Sequence, residues 1–307
     1  MRWKGRRRSS NVEDRRGAGG FGGMFGGGAR SGRRVSGRRG MGGGTMIIVA
    51  LIAIFFGKDL SGVLNLLMGG GGSLVQAPQP SQYQTQHNNR AVNSSSSGED
   101  EAAEFVKVIL AETEDTWAQI FNQIGQRYIP PKLVLYTGVV RSACGTNSSS
   151  SGPFYCPGDS KIYIDLSFLD EMRRMGAQGD FAFAYVIAHE VGHHVQNIVG
   201  LADDVRRRQR SASKVESNAI QVRMELQADC LAGVWTNHTE NRNAILEEGD
   251  IQEGMNAAAA VGDDRISRGR LSRESYTHGS SQERMQWFQQ GLKTGDIRSC
   301  NTFASGF

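Results

Sequence analysis

Residues 189–193 are His189-Glu190-Val191-Gly192-His193, in the middle of a helical pattern that covers residues 181–199. Residues i and i+4 of a helix lie on one face, so both imidazoles can bind a single metal ion. Glu190 is one position further along and can approach a water bound to that ion. The alternative is a solvated helix with two ordinary histidines. Evidence from the rest of the chain is needed to distinguish this from a metal-binding helix.

A second long helical pattern, over residues 215–235, carries two carboxylates one turn apart, Glu225 and Asp229. A catalytic zinc ion usually has three protein ligands and an open position for water, and Glu225 can supply the third ligand. Asp229 can accept a hydrogen bond from a ligand imidazole and so orient it. A solvated helix face is the alternative, but the neighbouring residues are apolar. The donor types favour zinc, so we predict one Zn²⁺ ion bound by His189, His193 and Glu225.

These residues predict hydrolysis of peptide bonds. Zinc would polarise the carbonyl group and lower the pKa of its bound water toward about 7. Glu190 would take the proton as general base and deliver it to the leaving amine. The oxyanion needs one more donor, for which His278 is the first candidate and Tyr276 the second. A structural role is the alternative for His278. His194 lies about 100° around the helix from His193, and we predict that it packs or supports the site rather than binding metal.

The chain resembles the bacterial family of putative neutral zinc metallopeptidases. The resemblance is carried by residues 188–196, by Cys144-Gly145, by residues 225–230 and by Thr277-His278-Gly279-Ser280. It extends from the apolar segment described below nearly to the C-terminus, with no departure at the ligand positions. It implies a zincin-like fold with glutamate as the third zinc ligand.

Charge is distributed unevenly along the 307 residues. The net charge is +4, but residues 1–44 hold 12 Lys/Arg against Glu13 and Asp14, a net of +10, and the remainder carries −6. This excludes a uniformly basic nucleic-acid-binding domain. Residues 1–44 are rich in Arg and Gly and have little apolar surface to bury, so we predict a disordered cytoplasmic tail.

Residues 46–57 contain no polar side chain, and we predict a transmembrane helix over residues 45–68 with Lys58 and Asp59 near the far interface. The positive-inside rule then places the N-terminus in the cytoplasm and the catalytic part in the periplasm or outside the cell. The protein would be a single-pass protein of the bacterial inner membrane, in contact with membrane lipid. The alternatives are a buried core helix, a cleaved signal peptide, and an Arg/Gly tail that binds nucleic acid.

The remaining chain predicts a flexible linker over residues 69–100 and a metallopeptidase domain over residues 101–307. Its helical patterns, with strands over residues 133–140 and 161–166, predict an α+β fold dominated by helices. We expect the strand over 161–166, just upstream of the active-site helix, to be able to bind an extended peptide by edge pairing.

Four cysteines in a segment predicted outside the cytoplasm favour disulfides. Of the three pairings we choose Cys144–Cys156 with Cys230–Cys300, because the first closes a short local loop. Free buried thiols are the alternative.

Taken together, the sequence predicts a membrane-anchored zinc metallopeptidase that acts on a peptide or protein substrate. Two other classes stay open. One is a zinc-binding, membrane-tethered scaffold without proteolysis. The other is a nucleic-acid binder that uses the Arg/Gly tail, which the charge distribution and the apolar segment disfavour.

Overall fold

The computed structural model describes residues 1–17 and 89–303, with side chains in the second range described from residue 98. The α-helices in these ranges are α1 Asn89–Gln123, α2 Phe168–Arg174, α3 Asp180–Ile198, α4 Leu201–Ser211, α5 Lys214–Asn243, α6 Asp250–Ala260, α7 Asp263–Ile266 and α8 Ser281–Thr294. The strands are β1 Val12–Asp14, β2 Lys132–Tyr136, β3 Val139–Ser142, β4 Gly145–Ser148, β5 Phe154–Cys156 and β6 Lys161–Asp165. The predicted α+β fold dominated by helices is confirmed.

Four strands form one sheet in the order β1-β2-β6-β5. The pairs β1–β2 and β2–β6 are parallel, and β5–β6 is antiparallel. Strand β2 is buried along Leu133–Tyr136 and β6 along Ile162–Asp165, as expected where both faces of a sheet are covered. Strands β3 and β4 form a separate antiparallel hairpin.

The sheet corrects the predicted role of residues 161–166. Strand β6 hydrogen-bonds to β2 on one side and to β5 on the other, so its backbone groups are already paired. It therefore has no edge to offer a peptide. The end of the sheet nearest the active-site helix is occupied by β5, which lies in the segment between Cys144 and Cys156.

Helix α3 is the centre of the core and carries the His-Glu-x-x-His residues. Its first half is buried all around, with Phe181, Phe183, Tyr185 and Ile187 each at most 1% exposed. A helix that is apolar on every side has to be enclosed by other elements. Helices α5 and α6 pack against α3, and α1 lies across it.

Helices α5 and α8 approach each other backbone to backbone. A Cβ atom on Gly291 would lie 1.9 Å from the carbonyl oxygen of Cys230, and one on Gly233 would lie 2.1 Å from that of Phe288. The two glycines therefore allow a crossing that no larger residue permits without backbone movement. This crossing brings α8 beside the part of α5 that faces the site.

Both predicted disulfides are present. Cys144 bonds to Cys156, and Cys230 bonds to Cys300, with sequence separations of 12 and 70. The second bridge ties the end of the chain to α5, one residue after Asp229.

Several predicted boundaries move. Residues 89–100, predicted as linker, belong to α1, and the strand predicted over 133–140 divides at Gly138, which has a φ of 76°. Helix α5 continues to Asn243, beyond the predicted end at residue 235. The transmembrane helix predicted over 45–68 lies outside the described residues. Within residues 1–17 and 89–303, no helix is long and apolar enough to cross a membrane.

The predicted disordered tail over residues 1–44 is wrong for residues 1–17. Strand β1 pairs in parallel with β2, in the register Val12 to Leu133, and is part of the four-stranded sheet. The physical reason is that the basic residues of this segment meet acidic side chains of α1 and its surroundings, which the local composition does not reveal.

Candidate active site

Three side chains from two helices converge on one point. His189 Nε2 lies 3.2 Å from Glu225 Oε2, and His193 Nε2 lies 3.5 Å from the same oxygen. The candidate ligand atoms of this set lie within 4.8 Å of one another. Ligands about 2.0–2.1 Å from a tetrahedral zinc ion are about 3.3 Å apart, so the donor set fits zinc in type and in spacing.

A glycine makes this convergence possible. Helices α3 and α5 approach each other closely at Gly192, where a Cβ atom would lie 3.0 Å from the carbonyl oxygen of Ala228. The glycine between the two histidines thus lets the helix that carries Glu225 approach the helix that carries the imidazoles. The small side chain of Ala228 serves the same purpose on α5.

Asp229 orients the first histidine. His189 donates from Nδ1 to Asp229 Oδ1 over 2.7 Å, which leaves Nε2 directed at Glu225. Asp229 is fully buried. It also accepts hydrogen bonds from the Tyr185 hydroxyl and from Arg284, whose Nε and Nη2 each lie 2.8 Å from a carboxylate oxygen. A buried carboxylate with four donors has a fixed orientation, and so has the ring that it holds.

Gln196 and Gln221 hold the other two ligands. His193 donates from Nδ1 to Gln196 Oε1 over 2.8 Å, and the Gln196 amide donates to the backbone oxygen of Met224. Gln221, one turn before Glu225 on α5, donates to Glu225 Oε1 over 2.9 Å. Each ligand thus has a hydrogen-bonding partner that fixes its rotamer and leaves its ligand atom directed at the common point.

The charges around this point favour positively charged histidines and an ionised Glu225. Burial works against ionisation of Glu225, but attraction to His193 and the hydrogen bond from His189 outweigh it and hold the pKa of Glu225 well below its ordinary value. Burial also disfavours a charged His189, yet Asp229 raises the pKa of His189 to about 9. A pocket that draws positive charge onto its histidines this strongly also attracts a divalent cation.

Glu190 lies beside the ligands and is only 7% exposed. It is close enough to His193 to raise the pKa of that histidine. Within the part of the chain that the structure describes, its carboxylate makes no hydrogen bond. It is therefore available to a water molecule or a substrate.

His278 lies at the rim, on the segment between α7 and α8. Its Nδ1 lies 3.1 Å from Asp263 Oδ1, and the other oxygen of Asp263 accepts hydrogen bonds from the backbone N–H groups of Thr277, His278 and Gly279. The side chain is half exposed. Burial disfavours its charged form, but the hydrogen bond to Asp263 and the nearby charge of Glu225 raise the pKa of His278. The charge of Glu225 therefore acts on His278, whose role as an oxyanion donor stays a prediction.

Tyr276 has a different environment. The Arg273 guanidinium lies 5.4 Å from the centre of its ring. Among the residues described, no contact joins Tyr276 to the three candidate ligands. Of the two donors considered from sequence, His278 is the better candidate, because Asp263 holds its ring and the charge of Glu225 acts on it.

His194 packs beside the site and does not join the ligands. Its Nε2 donates to the backbone oxygen of Ile129 over 2.8 Å, so its Nδ1 accepts from the Tyr155 hydroxyl at 3.0 Å. Burial lowers the pKa of His194. The neutral ring therefore connects α3 to β5, which agrees with the packing role predicted for it.

Sequence reasoning missed the side chains that support the site: Tyr185, Gln196, Gln221, Asp263 and Arg284. Three had a signal. Tyr185 is one helical turn before His189, Gln196 is three residues after His193, and Gln221 is one turn before Glu225, so each shares a face with a ligand. Asp263 and Arg284 come from later parts of the chain, and only the folded chain brings them to the site.

A His-Glu-x-x-His helix joined by a glutamate from a second helix is a donor arrangement typical of the zinc sites of metallopeptidases. The chain belongs to the putative neutral zinc metallopeptidase family, whose model matches residues 1–303.

Relatives of the chain come from distant bacteria. It is 50% identical over 307 residues to the uncharacterized protein YpfJ of Escherichia coli K12, with 99% of each chain covered. It is 39% identical over 219 residues to the uncharacterized protein Rv2575 of Mycobacterium tuberculosis H37Rv, which covers 67% of this chain and 73% of that protein. No solved structure matches the chain.

Proposed function

We propose that this protein is a zinc-dependent peptidase that hydrolyses peptide bonds within a peptide or protein substrate. The observation that carries the proposal is the convergence of His189, His193 and Glu225, with the unbonded carboxylate of Glu190 beside them. A site that only stabilised the fold would close all four zinc positions with protein ligands, whereas three leave one position open.

Each residue of the site has a separate role in the proposed hydrolysis. When bound, zinc supplies a Lewis acid that polarises the scissile carbonyl and acidifies water. Glu190 accepts the proton of the attacking water and passes it to the leaving nitrogen. His278 donates a hydrogen bond to the oxyanion, and Asp263 holds the ring for that purpose through Nδ1.

The decisive comparison is between Glu190→Gln and Glu225→Gln in the full-length chain. Glu190→Gln should bind one zinc ion and lose peptide cleavage, because it keeps the ligands and removes the base. Glu225→Gln should lose zinc itself, which metal analysis of the purified protein measures. Cleavage that survives Glu190→Gln would contradict the mechanism. A cellular phenotype that is independent of Glu190 would favour a zinc-binding scaffold.

We further propose that the catalytic domain works in an oxidising compartment, the periplasm or the cell exterior. Two disulfides support this, because thiol-reducing systems keep such bridges rare in the cytosol. The apolar residues 46–57 support a location at the membrane, with lipid as a partner. Alkylation of the chain in rapidly quenched cells, with and without reductant, measures the oxidation state of its four cysteines.

A further inference from the structure

Residues 1–17 are built into the catalytic domain by backbone hydrogen bonds along their whole length. Arg2 N donates to the carbonyl oxygen of Ile245, Ser9 N to that of Lys107, and Arg15 N to that of Leu135, over 2.8–2.9 Å. Leu133 N in turn donates to Asn11. The segment therefore runs along α1 and then forms β1, an edge strand of the four-stranded sheet.

The charges of the segment match those of the domain. Every one of its seven basic residues has an acidic partner within 4.0 Å, and six of them use a partner in residues 89–303. These six pairs are Arg2–Glu247, Lys4–Glu101, Arg6–Glu112, Arg7–Asp115, Arg8–Glu104 and Arg16–Asp100. In return, Glu13 of β1 accepts from Lys161 of β6 over 2.8 Å. Charge complementarity of this kind specifies one docking position for the segment.

Apolar contacts fix the start of the segment. The Trp3 ring packs edge to face on Phe105 of α1, with ring centroids 5.3 Å apart. The Phe105 ring stacks in turn on Phe183 of α3. The Met1 side chain is 9% exposed, and its amino group lies 3.0 Å from Asp180 Oδ1, the first residue of α3. The segment thus reaches the N-terminal end of the active-site helix.

We propose that residues 1–17 and the catalytic residues 89–303 lie on the same side of the membrane, because the surface formed by β2, α1 and the start of α3 is a docking surface for residues 1–17 of this chain. The hydrocarbon core of a bilayer is about 30 Å thick, and a strand on one side cannot hydrogen-bond to a sheet on the other. The conclusion is unchanged if a second copy of the chain provides the docked segment.

This placement replaces the topology predicted from sequence. One crossing between residues 45 and 68 would separate β1 from β2, which are paired over three residues. The positive-inside argument also weakens, because six of the 12 basic residues before residue 45 have acidic partners in residues 89–303. Any association of residues 46–57 with lipid has to begin and end on the side that holds the active site.

The family match supports an integral role for the segment. The family model begins at residue 1 and includes all of β1, and the similarity to the E. coli relative covers 99% of both chains. A segment that served only as a charged flank of a membrane helix would need a basic composition. It would need neither a defined strand register nor defined ion-pair partners.

The test is site-specific thiol labelling of the full-length chain in intact cells. Its four cysteines are all in disulfides, so one substituted cysteine provides a unique reactive thiol. Lys4→Cys reports on the docked segment and Arg298→Cys on the catalytic domain, because these side chains are 74% and 87% exposed. Asp170→Cys, at a side chain 66% exposed, is a second site in the domain and serves as the matched control. Replacing Lys4 removes one exposed ion pair and its contact with the Trp3 ring, while the other six basic residues of the segment keep their acidic partners, so docking should persist.

A membrane-impermeant maleimide should label Lys4→Cys and Arg298→Cys to the same fraction before the cells are permeabilised. Labelling of one site in intact cells and of the other only after permeabilisation would overturn the proposal. If both sites react only after permeabilisation, residues 1–17 and the catalytic domain still lie on the same side of the membrane. That result would contradict the oxidising location proposed above. Asp170→Cys has to match Arg298→Cys in either case.

Discussion

Arg284, on the last helix, donates two hydrogen bonds of 2.8 Å to the carboxylate of Asp229 on α5, and both side chains are buried. Asp229 in turn orients His189. The guanidinium is planar and its donors are fixed relative to one another, so it sets the plane of the carboxylate as well as balancing its charge. A residue 95 positions away in sequence thereby determines where a zinc ligand points.

We predict that Arg284→Met weakens zinc binding about 10- to 100-fold, the usual cost of losing a group that supports a metal ligand. Chelator competition on the purified full-length chain measures the dissociation constant. The substitution also leaves Asp229 buried with no guanidinium, which destabilises the fold by about 3–5 kcal/mol.

Two milder variants separate positioning from folding. Arg284→Lys keeps the charge but loses the bidentate hydrogen bonding to the Asp229 carboxylate. Tyr185→Phe removes one hydrogen-bond donor to Asp229. Both should fold and bind zinc less tightly than the unsubstituted protein. The visible spectrum of the cobalt-loaded protein should change in both, since it reports ligand geometry. Unchanged zinc affinity in all three variants would contradict the positioning role.

His278→Ala should lower kcat about 10²- to 10³-fold, the cost of one oxyanion donor, and leave zinc content unchanged. Tyr276→Phe is the matched control and should stay close to the unsubstituted protein, because the Tyr276 ring packs on Arg273. Steady-state cleavage of a fluorogenic peptide measures both. The reverse ranking of the two variants would assign the donor role to Tyr276.

The ion pair between Glu13 of β1 and Lys161 of β6 should make the free energy of unfolding depend on pH. The hydrogen bond from Lys161, opposed by partial burial and aided by Arg15, lowers the pKa of Glu13 from 4.5 to about 2. A carboxylate with a lowered folded-state pKa contributes stability above its unfolded pKa and loses it as the pH falls through the folded one. The contribution of Glu13 is therefore complete above about pH 4.5 and disappears toward pH 2.

Glu13→Gln should thus reduce the free energy of unfolding near neutral pH by about 1 kcal/mol or less, since the pair is partly exposed. The difference from the unsubstituted protein should vanish as the pH approaches 2. Urea denaturation at a series of pH values measures it. A difference that is independent of pH would show that the carboxylate charge is not what stabilises β1.

The two disulfides should contribute unequally. Loop closure predicts roughly 4 kcal/mol for Cys230–Cys300, with a separation of 70, and roughly 3 kcal/mol for Cys144–Cys156, with a separation of 12. Replacing Cys230 and Cys300 together by Ala should therefore lower the melting temperature more than replacing Cys144 and Cys156. It should also weaken zinc binding, because Cys230 follows Asp229. Equal melting temperatures for the two double variants would contradict this ranking.

Local periodicity and residue chemistry can be read from the sequence without the fold. The helical spacing of His189 and His193 and the apolar surroundings of Glu225 and Asp229 are short-range features, and they predicted both helices of the site and the candidate ligand set. The short separation of Cys144 and Cys156 likewise favoured the disulfide pairing that the structure has.

Which distant groups meet depends on how the helices and strands pack. Arg284 reaches Asp229 because α8 crosses α5 at Gly233 and Gly291, and no local pattern encodes that approach. Residues 1–17 resembled a disordered tail because their partners, on α1 and β2, are far away in the chain. An Arg-rich segment lacks apolar residues to bury, but acidic side chains and an open strand edge can order it, and these become visible only after the chain has folded.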